Sequence, residues 1–194
     1  AVKRLRGTTK RAYVYLSGWM VAGLRNRWGH LPAHIKSEEQ AKDYLRKYST
    51  FNAVSEEVAT KSTYKAAWAK GQRCLVPVTS FYEWQHVPIP GRKTVKKVPY
   101  RIGTDQEVFS LAGIWEDSAL GYRTYTILTT TANPLMAEIH NSKQRMPVII
   151  PKALEETWLS AGLTPEEAKA LCTPFPQEHM RAVKKEEEET PSLF

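Results

Sequence analysis

The sequence predicts an α+β domain in which helices lie at the periphery of a mostly antiparallel, partly closed, barrel-like sheet. Three observations support this class. β-rich runs separated by turn signals fill the middle of the chain, helix-like segments flank them, and no internal repeat or Gly/Ser-rich linker divides the sequence. We therefore expect a single domain over residues 1–183, followed by a charged tail over residues 184–194.

The first third of the chain predicts one strand and two helices. Residues 12–21 are rich in aromatic and β-branched side chains, which indicates a strand. Residues 37–48 predict a helix, because Ser37 suits the N-cap and Gln40, three residues later, completes a capping box. Residues 63–70 predict a second helix, which ends at Gly71.

From residue 73 the apolar pattern changes to the short period that is typical of strands. Five β-rich runs follow, at residues 73–79, 81–87, 98–102, 107–115 and 123–130. The remainder predicts a short helix at 132–139, a strand at 147–151, and two helices at 152–162 and 164–172.

The charge of the chain favours a polyanionic partner. The 194 residues carry a formal net charge of +8, with a pI near 9.5. Residues 184–194 hold two lysines and four glutamates, so 26 of the 28 cationic and 16 of the 20 acidic residues remain in residues 1–183. A body with an excess of ten positive charges suits nucleic acid first, although a generic basic protein is the plainer alternative.

Composition also argues against several classes. Every apolar run is shorter than the ~20 residues that a membrane-spanning helix needs, so we expect no membrane association. Two cysteines, Cys74 and Cys172, are too few for a disulfide framework, which favours a reducing, cytoplasmic setting. His30 and His34 have a metal-ligand spacing, but Pro32 between them argues against the helix that this spacing requires. We therefore expect no metal and no cofactor.

Glu83 is the first candidate for chemistry. It lies in FYEWQH, where strand alternation places Phe81 and Glu83 on one face and Tyr82 and Trp84 on the other. A carboxylate in line with an aromatic core residue is partly shielded from water and suits acid–base chemistry. A glutamate at a sheet edge is the alternative.

Four further side chains are candidates for ligand contacts. Asn52 interrupts a β-prone run, where a buried amide needs hydrogen-bond partners, and a local turn is the alternative. Thr129 offers a hydroxyl for a phosphate, although β-propensity explains it equally well. His140 and Arg145 flank the end of a short helix, where favourable pairing with the helix dipole is the structural explanation.

Four sequence blocks occur together in the order of one family. FNAVSEE, RCLVPVTSFYEWQ, YTILTTTAN and MAEIHNSKQRMPVII resemble, over residues 27–151, the SOS-response-associated peptidase (SRAP) family. The combination of FYEW with IH…RMP, behind an N-A-x-x-E block, is specific. The resemblance implies a protein that binds single-stranded DNA, traps abasic sites and processes its own N-terminus.

The chemistry implied by this resemblance uses an N-terminal cysteine exposed by removal of the initiator Met. Its α-amine condenses with the ring-opened aldehyde of the abasic sugar to give a Schiff base, and its thiol then closes a thiazolidine. An α-amine has a pKa of about 7.7–8.0, so part of it is neutral and nucleophilic near pH 7.

The same resemblance implies roles for single residues. Asn52 would orient the N-terminal residue, Glu83 would be the general base, and His140 would be the acid that helps to open the sugar ring. The implied DNA-binding residues are Arg145 as a phosphate contact, Thr129 on the DNA side, Trp28 and Tyr82 as stacking candidates, and Arg27.

Several positions depart from the family pattern. The sequence begins Ala1-Val2-Lys3 instead of with cysteine, so as printed it offers an amine without a thiol. Val54 replaces the arginine of N-A-R-x-E, and His34 replaces the second tryptophan of the W-G-L-I-P-x-W block. The loop between His140 and Arg145 is longer than the short family form.

Three functions therefore stay open at this point. The first is a monomeric, abasic-site-sensing protein of the SRAP type. The second is a single-stranded DNA-binding module that lacks the nucleophile. The third is a small hydrolase that uses Glu83 and His140 on another substrate.

Overall fold

The computed structural model describes residues 26–185 and the backbone of residues 15–16. The predicted strand at 12–21 is therefore described only at Tyr15–Leu16, and residues 186–194 of the predicted tail lie outside the described residues. The α+β class is confirmed. The division into a domain at 1–183 and a tail stays a prediction.

The described residues contain eleven strands, five α-helices and two short 3-10 helices, at Lys152–Leu154 and Gln177–His179. The strands are β1 Tyr15–Leu16, β2 Asn26–Trp28, β3 Asn52–Val54, β4 Arg73–Val78, β5 Phe81–Pro88, β6 Val95–Thr104, β7 Phe109–Asp117, β8 Arg123–Thr131, β9 Arg145–Pro147, β10 Ile149–Ile150 and β11 Met180–Lys184. The helices are α1 Glu38–Tyr48, α2 Lys65–Ala69, α3 Pro134–Ile139, α4 Glu155–Leu159 and α5 Pro165–Ala170.

The strands form two sheets. The main sheet has the order β1-β4-β7-β8-β2, with β3 and β9 also pairing with β8 and β10 with β7. The small sheet has the order β11-β6-β5. All pairs are antiparallel except β2 and β3, which run parallel to β8. Within the described residues both sheets are open, so the expected barrel-like closure describes the fold only loosely.

One apolar cluster lies between the two sheets. It joins Phe81 and Ile102 of the small sheet to Ile127 of β8, and Met136 and Ile139 of α3 pack against them. We refer to this set as the inter-sheet cluster. Alternation along β8 places the next residue, Leu128, in a second cluster on the opposite side of the main sheet, where α2, α4 and α5 pack.

The two early helices form where the sequence predicts them. Ser37 caps α1 by accepting from the Gln40 N–H at 3.2 Å. The predicted capping box is only half formed, because the Gln40 side chain accepts from the Lys36 N–H rather than from that of Ser37. α2 is followed by Gly71 at φ +65°, the left-handed conformation that glycine adopts most readily.

None of the helices in the described part of the chain is long and apolar enough to cross a membrane.

Candidate active site

Glu83 lies on the inner face of the small sheet. β5 alternates as predicted, because Phe81 and Glu83 are 5% and 4% exposed whereas Tyr82 and Trp84 are half-buried on the other face. Phe81 belongs to the inter-sheet cluster, so the Glu83 carboxylate is directed to the same side of the sheet. The residue is therefore on an edge strand, as the structural alternative required, but it is buried.

Helix α3 presents a histidine to this carboxylate. Asn133 caps the helix by accepting from the Met136 N–H at 2.8 Å, and His140 is the first residue after the helix. The His140 side chain is buried, and its Nδ1 lies 3.9 Å from Oε1 of Glu83. That separation is too long for a hydrogen bond but short enough for a direct electrostatic interaction.

A second contact sets the orientation of the imidazole. His140 Nδ1 lies 2.7 Å from the carbonyl oxygen of Arg145. Because a carbonyl oxygen only accepts, Nδ1 carries the hydrogen of this bond. Nε2 is then the ring nitrogen that can exchange a proton with a bound molecule.

The Arg145 guanidinium is held by two partners. It donates to both carboxylate oxygens of Glu56, at 2.8 and 2.6 Å, and to the carbonyl of Thr129 at 2.6 Å. The hydrogen bond from Arg145 lowers the pKa of the Glu56 carboxyl. A phosphate bound at this arginine would therefore either share the guanidinium with the Glu56 carboxylate or displace that carboxylate.

Asn52 faces the same inter-sheet space as Glu83. It opens β3 and lies opposite Ile127, a member of the inter-sheet cluster, whereas the next residue, Ala53, packs on the other side of the main sheet. The Asn52 Oδ1 is buried and, within the described residues, has no hydrogen-bond partner. It is therefore available to a donor that enters from this side.

Thr129 lies between β3, which carries Asn52, and β9, which carries Arg145. It lies opposite Val54 of β3 and Pro147 of β9, its carbonyl accepts from Arg145, and its hydroxyl is 3.4 Å from the Ala53 carbonyl. The hydroxyl is thus engaged by the protein backbone.

A cavity of about 200 Å³ opens beside the Glu83–His140 pair. Its lining comprises the pair, two lysines and three neighbouring residues: Glu83, Trp84, His86, Lys97, His140, Ser142 and Lys143. The lysines give the mouth a positive charge that suits an anionic ligand.

The long loop after His140 is tied to the edge of the small sheet. The Asn141 side chain accepts from the His86 N–H and donates to the His86 carbonyl, both at 3.0 Å. This amide occupies the position that a neighbouring strand would take, and so it fixes the loop that carries Lys143. No sequence pattern pointed to Asn141, Lys143 or Lys97 as site residues.

Glu56 was not among the predicted site residues, although it is the glutamate of the N-A-x-x-E block. The signal was present in the block, but its partner Arg145 is 89 residues away and no local pattern joins them.

The other predicted DNA-binding residues lie in three different places. Trp28 packs against the inter-sheet cluster and donates to the Phe51 carbonyl at 2.8 Å. Arg27, on the opposite face of β2, donates at 2.8 Å to both Glu38 and the Tyr122 hydroxyl. Tyr82 is on the outer face of the small sheet, away from Glu83.

The substituted family positions have ordinary surroundings. Val54 is half-buried opposite Thr129, and His34 is exposed with its ring edge-on to Tyr44 at 6.1 Å between centroids.

The two cysteines are buried: burial raises the pKa of the Cys74 thiol above its usual range and that of Cys172 to about 12. Cys172 directly follows the C-cap of α5 and is not inside the predicted helix.

Over the stretch that the structure describes, no three His, Cys, Asp or Glu side chains are grouped closely enough to hold a metal ion.

Comparison with protein families gives the class of this chain. The family model of the SOS response associated peptidases (SRAP) matches residues 9–188, and the chain belongs to that family. Among curated proteins, it is 33% identical over 162 residues to the abasic site processing protein YoaM of Bacillus subtilis, covering 80% of this chain and 65% of YoaM. It is 32% identical over 175 residues to the abasic site processing protein HMCES of Gallus gallus, covering 76% of this chain and 48% of HMCES.

Solved structures share the fold. A Bacteroides thetaiotaomicron protein superposes with a TM-score of 0.71 at 36% identity, covering 81% of this chain and 66% of that one. A Bordetella bronchiseptica protein superposes with a TM-score of 0.67 at 29% identity, covering 83% and 76%. The chain thus spans just under two thirds of YoaM and about half of HMCES.

Proposed function

We propose that this protein binds single-stranded DNA and acts on abasic sites at the cavity beside Glu83 and His140. The observation that carries the proposal is a buried carboxylate 3.9 Å from an imidazole whose Nδ1 is committed to a backbone carbonyl. The relatives named as abasic site processing proteins support DNA as the partner. Single-strand preference, a monomeric state and a cytoplasmic location are parts of the proposal that the sequence predicts.

The pair suits the ring opening of an abasic sugar. That step moves one proton off the anomeric hydroxyl and places one on the ring oxygen as the C–O bond breaks. Glu83 would accept the first proton and the protonated His140 would supply the second through Nε2. The product is an aldehyde, the electrophile that an amine can attack with loss of water.

Asn52 would hold the attacking amine. Its buried Oδ1 is an acceptor on the side of the main sheet that faces Glu83, and an amine carries the donors that such an oxygen needs. An amine held there would be directed towards the aldehyde that the Glu83–His140 pair produces.

Arg145 would take part in two ways. Its backbone carbonyl orients His140. Its guanidinium would contact a DNA phosphate, which would either replace the Glu56 carboxylate or share the guanidinium with it. Thr129 would act through its carbonyl, which holds the guanidinium in place.

The test is a denaturing gel with an oligonucleotide that contains one abasic site. A 194-residue polypeptide made to start at Ala1 has an α-amine without a neighbouring thiol, so its imine would hydrolyse and no stable shifted band is expected. A version that starts Met-Cys-Gly-Arg, with a family-length N-terminal segment, should give a stable band once the Met is removed.

Each outcome separates the candidate functions. A stable band from the cysteine version supports the abasic-site reaction. Binding without any band from the cysteine version would leave a DNA-binding module. A stable band from the chain that begins at Ala1 would contradict the proposed nucleophile.

A further inference from the structure

The outer face of the small sheet has an unusual composition. Antiparallel partners project to the same side, so the register of β5, β6 and β11 defines which side chains share this face. Its central residues are Tyr82, Trp84 and His86 of β5, Lys97, Pro99 and Arg101 of β6, and Arg181, Val183 and Lys185 of the β11 strand and the residue that follows it. We call this set the outer face.

Three rings form a row along one edge of the outer face. Tyr82, Trp84 and His86 alternate along β5, so they span about 14 Å at the usual strand rise of ~3.4 Å per residue. Each of these residues is half-buried, unlike the buried Phe81 and Glu83 on the other face. The inner face of the same strand already supplies Phe81 to the core, so the core does not account for this second set of rings.

Positive charge lies directly beside the rings. Lys97 is opposite His86, Arg101 is opposite Tyr82, and all four cations of the outer face are exposed. In residues 26–185, neither Arg101 nor Arg181 lies within ion-pair distance of a carboxylate, and the outer face as defined contains no acidic residue. From residue 84 to residue 104 the sequence has no Asp or Glu.

We propose that the outer face is a second surface for single-stranded nucleic acid, in which unpaired bases stack on the β5 rings and Lys97, Arg101 and Arg181 contact phosphates. Every base has a π-face, so rings beside a basic strip bind single strands with little sequence preference. A duplex keeps its bases paired and offers only its backbone, so it has no unpaired base to stack on the β5 rings. The proposal keeps Tyr82 as a stacking residue and places the stacked base on this face, on the other side of the small sheet from Glu83.

The outer face and the cavity are adjacent. Trp84, His86 and Lys97 belong to both, because the cavity lies beside β5, the edge strand of the small sheet, and is lined by residues from both of its faces. A strand that leaves the cavity would therefore continue onto the outer face. The inference extends the proposed function but does not depend on abasic-site chemistry.

The experiment measures binding of an undamaged, fluorescent oligothymidylate to the full chain by anisotropy, between about 50 and about 200 mM salt. Since the probe contains no abasic site, the result is independent of whether the chain reacts with one. The double variant Arg101→Ala/Arg181→Ala should weaken binding about tenfold or more and reduce the salt slope by roughly 1.4. Tyr82→Ala should weaken binding, and Tyr82→Phe should restore it because the ring is kept.

The matched control removes exposed cations from other surfaces. Lys65 and Lys169 are exposed on α2 and α5, and Lys65→Ala/Lys169→Ala removes the same charge as the test variant. An equal loss in the control would mean that net charge alone drives binding, and it would overturn the proposal. Circular dichroism of each variant checks that the fold is retained.

Two other outcomes would also overturn it. Equal binding of a duplex, unaffected by Tyr82→Ala, would show docking of the DNA backbone without stacking. Binding that appears only after removal of residues 186–194, which contain four consecutive glutamates, would show that this acidic segment occupies the outer face instead.

Discussion

Two histidines of this chain are buried beside glutamates, and their surroundings differ. His140 lies 3.9 Å from Glu83, and His30 lies 3.3 Å from Glu116. Judged by residue type, burial and distance alone, His30 would be the better candidate for acid–base chemistry. The contacts around each ring reverse that order.

His30 is enclosed by the protein. Its side chain is 0% exposed and packs edge-on to Tyr64 at 5.3 Å between ring centroids. Neither of its ring nitrogens makes a hydrogen bond within the described residues, because the short distance to Glu116 is poorly aligned for one. His140 instead has one nitrogen fixed by the Arg145 carbonyl and lines a cavity. An oriented ring with room for a ligand, and not proximity to a carboxylate, distinguishes the site.

The largest effect expected from this comparison is on reaction with abasic DNA. In the cysteine version of the chain, Glu83→Gln and His140→Ala should each slow formation of the stable band by about 10²–10⁴-fold, the usual range for positioned acid–base groups. Glu116→Gln is the matched control in the other pair and should change the rate less than about twofold. Equal slowing by Glu83→Gln and Glu116→Gln would remove the distinction between the pairs.

The two buried cysteines test whether burial alone is enough to make a thiol unreactive. Burial raises the pKa of the Cys172 thiol from 9.0 to about 12. At a pH near 8, such a thiol has about a thousandfold less of the reactive thiolate form. Cys74 is fully buried, and its pKa is raised in the same direction. We expect native protein to react with a thiol reagent about a thousandfold more slowly than protein unfolded in guanidinium. Rapid labelling of the native chain would contradict the burial of both thiols.

Substitution of the enclosed histidine should affect stability. His30→Ala removes a fully buried ring and should lower the free energy of unfolding by ~2–4 kcal/mol, as other large-to-small core substitutions do. His34→Ala, at an exposed position four residues later, should change it by less than ~0.5 kcal/mol. Urea denaturation followed by circular dichroism measures both. A neutral His30→Ala would mean that the ring packs less closely than its burial indicates.

A smaller effect concerns the arginine that orients His140. Arg145→Ala should weaken binding of undamaged single strands about tenfold, regardless of sequence, and reduce the salt slope by about one. Glu56→Gln should act in the opposite direction, because it removes the carboxylate that competes with phosphate for this guanidinium. If neither variant alters binding, Arg145 serves only as a structural residue beside His140.

The smallest effect is the pH dependence of the Glu56–Arg145 pair. The pKa of Glu56 is lowered in the folded state, so the pair stabilises the protein above the ordinary value of 4.5 and its contribution is lost as the pH falls through the folded-state pKa. The Glu56 side chain is 44% exposed, which limits the contribution to less than ~1 kcal/mol. Urea midpoints of the parent chain and Glu56→Gln should differ slightly near pH 7 and converge near pH 3. A difference that persists in acid would exclude the ion pair as its cause.

The sequence by itself determined the elements whose signals are local. The Ser37 cap defined the start of α1, and alternation along β5 separated Phe81 and Glu83 from Tyr82 and Trp84. The ordered blocks between residues 51 and 150 were sufficient to indicate the family. These features depend on neighbours within a few residues, so the order of the side chains already contains the information.

Only the tertiary structure decided which distant groups meet. β2 and β3 are three residues long, and the sequence pattern did not predict β11, so the pairing of these strands with β8 and β6 had no local signature. The contact between Glu56 and Arg145 depends on the pairing of β3 and β9 with β8, and the proximity of His140 to Glu83 depends on the packing of α3 against β5. The physical reason is that strand register and sheet packing are set by burial of apolar faces from remote segments, which no stretch of a few residues encodes.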